Sequence, residues 1–70
     1  MSRRMATKNN GTVVIYGLDH FFGWFYQEMN DEGDCVVDED SLSKGKLLNL
    51  LEDTDAPEDI KGCIAMDLPI

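Results

Sequence analysis

Residues 12–29, TVVIYGLDHFFGWFYQEM, constrain the fold more tightly than any other part of the chain. β-Branched and aromatic side chains dominate this stretch, and they suit a pleated, half-buried surface. The run GTVVIYG is bounded by glycine and predicts a strand over 12–17. FGWFYQEMN predicts a second strand over about 22–29, with LDHF as the connector. NDEG then gives a turn signal, in which Gly33 supplies a positive φ. DCVVDE predicts a short third strand, and strands joined by short turns make an antiparallel meander.

Near Ser41 the period changes. SKGKLLNLLED sets Leu47, Leu48, Leu50 and Leu51 at helical spacing, with Ser43 able to cap the start. TDAPEDIKGCIAMDL predicts a second helix, with Asp55 as N-cap, Pro57 in the first turn and Glu58 three residues after the cap. Ile60, Cys63, Ile64 and Leu68 form its apolar stripe. Helices this short must pack to persist. The expected fold is α+β: a three-stranded antiparallel meander followed by a two-helix hairpin packed on one face. Residues 1–10, MSRRMATKNN, are polar and aperiodic and are expected to form a flexible basic tail, within which Met5 is an alternative start. Residues 11–70 are expected to form a single small acidic domain.

With 70 residues, the chain buries only about 60% of its unfolded surface. At 43% hydrophobic it still has a core to build, with Val13, Val14, Ile15, Phe21, Phe22, Trp24 and Phe25 as the aromatic and β-branched candidates. A deep substrate pocket is not expected. Strand alternation puts Val13 and Ile15 on one face with Phe25, Gln27 and Met29, and puts Val14 and Tyr16 on the other with Phe22, Trp24 and Tyr26. Two short helices cover one face only. The expectation is that Tyr16, Trp24 and Tyr26 remain on the open face, where they either curl into the sheet edges or form a dimer or partner patch.

Charge is the second constraint. The net charge is −8, unevenly spread. Residues 1–8 carry Arg3, Arg4 and Lys8 and no acid, so residues 9–70 hold 14 acids against three bases, a net of −11. Direct binding to nucleic acid or to an anionic membrane is disfavoured, because both need Lys and Arg. A basic protein partner fits, as does plain solvation that keeps a small protein soluble. The run EMNDEGDCVVDED holds seven acids in thirteen residues.

Several chemistries can be weighed against the residues. With Gly33 at position 6, an EF-hand register selects Glu28, Asn30, Glu32, Asp34, Val36 and Glu39. The upstream segment is β-prone where that motif needs a helix, so no metal is expected. His20, Cys35 and Cys63 lack paired zinc-ligand spacing and read as a turn residue and two buried thiols in a reducing cytosol. No nucleophile elbow, P-loop or dinucleotide glycine pattern is present, so neither an enzyme nor a cofactor is expected. The segment 12–26 is interrupted by Asp19 and His20 and has no cleavage site, which argues against a signal peptide, and it is too short and polar to span a bilayer.

Alternation places Asp38 and Asp40 on one side of the third strand, roughly 6.6 Å apart. Glu32 and Asp34 lie across the turn, and Asp53, Asp55 and Asp59 cluster between the helices. These seven acids are the expected contact residues of a surface that imitates phosphate. A short, very acidic chain carrying NDEGDCVVDED and LLEDTDAPED resembles the small phage-encoded inhibitors that act as DNA mimics, notably anti-CRISPR proteins. The likeness is one of size, charge and simplicity, and no functional residue is carried over from it. It implies a monomeric or dimeric cytoplasmic protein in a bacterial host. Such a protein blocks a basic nucleic-acid-binding partner, such as a CRISPR effector complex, without chemistry of its own. The competing reading is a bacterial interaction module that uses its aromatic sheet face.

Overall fold

A computed structural model describes residues 2–68 and Ile70. Four strands, β1 (Ser2–Thr7), β2 (Val13–Asp19), β3 (Gly23–Met29) and β4 (Cys35–Leu42), precede two helices, α1 (Lys44–Leu51) and α2 (Glu58–Ala65). The sheet is antiparallel throughout, in the order β1-β2-β3-β4. The α+β class is as expected, but the strand count is four rather than three. The fourth strand is made from residues expected to be a loose tail. Ser2–Thr7 pairs along β2 from Ser2–Leu18 to Thr7–Val13. Only Ala6 of this strand is buried, so its sequence carries no apolar alternation, and it is a strand because β2 offers it a complete ladder.

Local chemistry sets the turns. Asp19 accepts hydrogen bonds at Oδ1 from the backbone N–H groups of Phe21 (2.7 Å) and Phe22 (3.2 Å), and Gly23 follows at φ +76°. Together they close the three-residue β2–β3 loop. Asn30 does the same for the β3–β4 turn, its Oδ1 accepting from Glu32 and Asp34, with Gly33 at φ +85°. Phe21 and Phe22 belong to the first of these turns and are 92% and 57% exposed, so neither joins the core as expected.

Two bulges shape β4. Tyr26 pairs with Glu39 but Trp24 with Leu42, which leaves an extra residue on β4, and Ser41 takes a left-handed φ of 54° there. The bulge restores Leu42 to the core side, where it packs on the core. A second irregularity between Val37 and Cys35 leaves Val36 unpaired and 58% exposed.

Both helices lie on the Val14–Tyr16–Trp24–Tyr26 face. One core cluster joins those four to Ala6, Leu47, Leu51, Ala56 and Ile64. Tyr16, Trp24 and Tyr26 are 0%, 6% and 1% exposed, so the expectation that they form an open contact patch is overturned. Alternation sorted Val14, Tyr16, Trp24 and Tyr26 onto one face correctly, but Phe22, grouped with them, lies in the β2–β3 turn beside Phe25, and the helices cover the face with the larger rings, where burial removes the most apolar area from water. The uncovered face carries Met5, Val13, Ile15, Phe25, Gln27 and Met29, placed by the register of β1, β2 and β3.

Ser43 caps α1 as expected, its Oγ accepting from the Lys46 N–H. Asp55 does not cap α2. Its carboxylate accepts from the Thr7 N–H at 2.8 Å and its own N–H donates to the Thr7 carbonyl at 3.0 Å. Position 57 becomes the cap, without a side-chain hydrogen bond, and Glu58 and Asp59 face the positive end of the helix dipole. The Asp55 contacts occupy the outer edge of β1 at its last residue. Arg3 and Arg4 on β1 and Asp38, Glu39 and Asp40 on β4 charge the two edges, which discourages pairing of free strands. Among the described residues no helix is long and apolar enough to cross a membrane.

Candidate partner-binding surface

All seven acids expected to make contact are exposed: Glu32, Asp34, Asp38, Asp40, Asp53, Asp55 and Asp59. They are not gathered on one face. Asp38 and Asp40 lie on β4, at one edge of the sheet. Asp53 and Asp55 lie beyond the other edge, because the Asp53 carbonyl accepts from the Asn9 N–H and Asp55 bonds to Thr7. Three strand spacings separate β1 from β4, about 14 Å. The β3–β4 turn with Glu32 and Asp34 lies at the same end of the sheet as the β1–β2 turn and the Thr54–Lys8 bridge. The acids therefore form a belt that runs along β4, around the turn end and on to the helix junction.

The fold leaves this belt unneutralised. Among the described residues the ion pairs are Lys8–Glu28 (3.3 Å), Lys44–Asp67 (3.0 Å) and Lys61–Glu58 (3.6 Å). None of them uses any of the seven acids. Three of the seven accept hydrogen bonds within the protein: Asp55 anchors the edge of β1, Asp38 accepts from Gln27 Nε2 at 3.3 Å, and Asp59 accepts from the Ile60 N–H at 3.0 Å. Asp55 is therefore the least free of the set to meet a partner.

Asp38 and Asp40 share the uncovered face, as alternation predicts, and there they help line an open depression of about 350 Å³. Arg3, Asp19, Phe22, Phe25 and Gln27 complete its walls. The sequence gives no sign of this depression, because it brings together four strands' worth of residues and depends on the bulge that re-aims the end of β4.

The buried tyrosines define the other face. Tyr26 donates its hydroxyl to Glu28 Oε2 at 2.9 Å, and Glu28 also holds Lys8. Burial raises the Tyr26 pKa well above its ordinary value, and the hydrogen bond and negative charge of Glu28 raise it further. Tyr16, its cross-strand partner, has a buried hydroxyl with no hydrogen-bond partner. Burial raises its pKa too; nearby Arg4 lowers it, and Asp55 and Asp59 raise it.

The calcium register is not assembled as a cage. Glu28 is engaged with Tyr26 and Lys8, and Asn30 Oδ1 is committed to the turn. No cluster of three or more His, Cys, Asp or Glu side chains suited to a metal occurs among the described residues. Cys63 is half-buried but Cys35 is exposed, contrary to the expectation of two buried thiols. The Val36 irregularity at the start of an edge strand accounts for this, since nothing packs outside it. No protein-family model, curated protein or solved structure matches this chain.

Proposed function

We propose that this chain is a non-enzymatic binding inhibitor. Its acidic belt stands in for nucleic acid and occupies the basic groove of a nucleic-acid-binding complex, such as a CRISPR effector, in the cytoplasm of a bacterial host. A phage or mobile-element origin fits that role. The observation that carries the reading is the belt itself: seven exposed acids that the lysine ion pairs among the described residues leave alone, since those lysines serve other carboxylates. Asp38 and Asp40 present two charges roughly 6.6 Å apart on one face of β4, with Glu39 turned to the other face. Concentrating like charge in this way works against folding, and solubility alone does not require it.

The test is competition. Purified CRISPR effector complexes of several types are loaded with labelled target duplex and titrated with the protein at increasing salt. Displacement that weakens steeply with salt supports the proposal. Absence of displacement from every complex at low salt counts against it.

A second reading has one observation in its favour. The sheet face opposite the helices is uncovered, and Met5 on it is 68% exposed. Self-association through that face predicts a concentration-dependent dimer in sedimentation that Met5→Lys abolishes. A monomer at high concentration contradicts it.

A further inference from the structure

The depression on the uncovered face has a composition that the acidic belt alone does not explain. Two phenylalanine rings, Phe22 at 57% exposure and the half-buried Phe25, sit among the carboxylates of Asp19, Asp38 and Asp40, with Arg3 the one cation in the wall. Three carboxylates against one guanidinium leave a local charge of −2. Among the described residues Arg3 makes no ion pair within 4.0 Å, so it does not close off those carboxylates. The volume, about 350 Å³, lies at the small end of the range for ligand sites.

Carboxylates beside aromatic faces define one chemistry. A planar cation stacks on a ring through the ring quadrupole while its N–H groups fork onto a carboxylate. Guanidinium does both; ammonium is more strongly hydrated and gains less from the rings. We propose that this depression is a receptor for one arginine side chain of the partner protein, with Phe22 and Phe25 as the stacking surface and Asp38 and Asp40 as the fork acceptors. It rests on the proposed meeting of the acidic belt with a basic protein, and it fixes where on the belt the contact is specific rather than diffuse. Basic nucleic-acid grooves are lined with arginine, so the two features address the same kind of surface.

The experiment uses the isotope-labelled full chain and two blocked tripeptides, acetyl-Gly-Arg-Gly-amide and acetyl-Gly-Lys-Gly-amide, followed by NMR titration. The arginine peptide is expected to bind in the millimolar range. Its shifts should be confined to Arg3, Asp19–Phe25 and Asp38–Asp40, with about threefold or greater preference over lysine. Phe22→Ala, a change at an exposed ring, removes that preference. Asp38→Asn with Asp40→Asn weakens both peptides, and Arg3→Ala strengthens both by removing a competing cation. Asp53→Asn with Asp59→Asn, at the other flank, changes nothing. Equal binding of the two peptides, or shifts spread evenly over Glu32, Asp34, Asp53 and Asp59, overturns the proposal. Because no DNA-binding complex enters this titration, arginine binding without duplex displacement would remove the inhibitor reading and leave the receptor standing.

Discussion

Tyr16 and Tyr26 face each other across β2 and β3, both fully buried, yet removal of their hydroxyls should have opposite effects. Tyr26→Phe deletes a 2.9 Å hydrogen bond to a charged acceptor. Such bonds contribute about 1.5–3 kcal/mol, and the partial exposure of Glu28 places this one near 1.5–2. Tyr16→Phe deletes a buried hydroxyl without a partner, whose desolvation costs about 1 kcal/mol or more, so the variant should gain roughly that amount. The two variants then differ by about 3 kcal/mol, against a total stability of about 4–10 kcal/mol for a chain of this size. At about 4–8 °C per kcal/mol, their melting temperatures should differ by about 12 °C or more, with wild type between them. Thermal and urea unfolding followed by circular dichroism provide the assay. The pair also governs alkaline stability. Both pKa values are raised on folding, so the native state holds these protons more tightly than the unfolded chain. Their contribution is intact below about pH 10 and is lost as pH rises past it toward the folded-state values. Each Phe variant should flatten that alkaline decline. If Tyr16→Phe destabilises as much as Tyr26→Phe, the Tyr16 hydroxyl has a partner and the reasoning fails.

Glycine substitutions separate close approach from open space. A Cβ on Gly17 would overlap the Ser2 carbonyl oxygen, so Gly17→Ala should push β1 off the sheet and lower the melting temperature markedly. The same change at Gly45 or Gly62, where nothing lies within 4 Å, should raise stability by about 0.5–1 kcal/mol each through helix propensity. Trp24→Ala should cost about 3–5 kcal/mol and unfold much of the population, because the ring is core rather than contact surface. Calcium titration followed by calorimetry should show no binding tighter than millimolar, since Glu28 is already engaged; micromolar binding lost in Glu39→Gln would reverse that conclusion.

What the sequence made legible follows from where its side chains do the specifying. β2 and β3 could be read because Val13, Val14, Ile15, Trp24, Phe25 and Tyr26 carry strand preference themselves. The start of α1 could be read because a serine cap acts locally. β1 could not, because its strand state is imposed by the ladder on β2 and by Asp55 from 48 positions away. The same long-range contact defeated the cap expected for α2, since a carboxylate spent on Thr7 is not free for the helix. Alternation told which residues share a face but not which face the helices choose, so Tyr16, Trp24 and Tyr26 were placed on the wrong side of the molecule. Of the candidate surface, the exposure of the acids was legible from their charge. The belt arrangement and the Phe22–Phe25 depression were not, because both depend on strand order and on a bulge marked only by the left-handed φ of Ser41.

If the acids of β4 imitate phosphate, reversing their charge should abolish competition for a basic groove. Asp38→Lys with Asp40→Lys changes two exposed side chains outside the core, so folding should be nearly unaffected. In the duplex-displacement titration, wild type should compete with a steep salt dependence. The double reversal should lose that competition, since like charges set against a basic groove cost several kcal/mol. Displacement by the reversed protein at wild-type strength and with the wild-type salt slope would contradict the account and reduce the belt to a solvated surface.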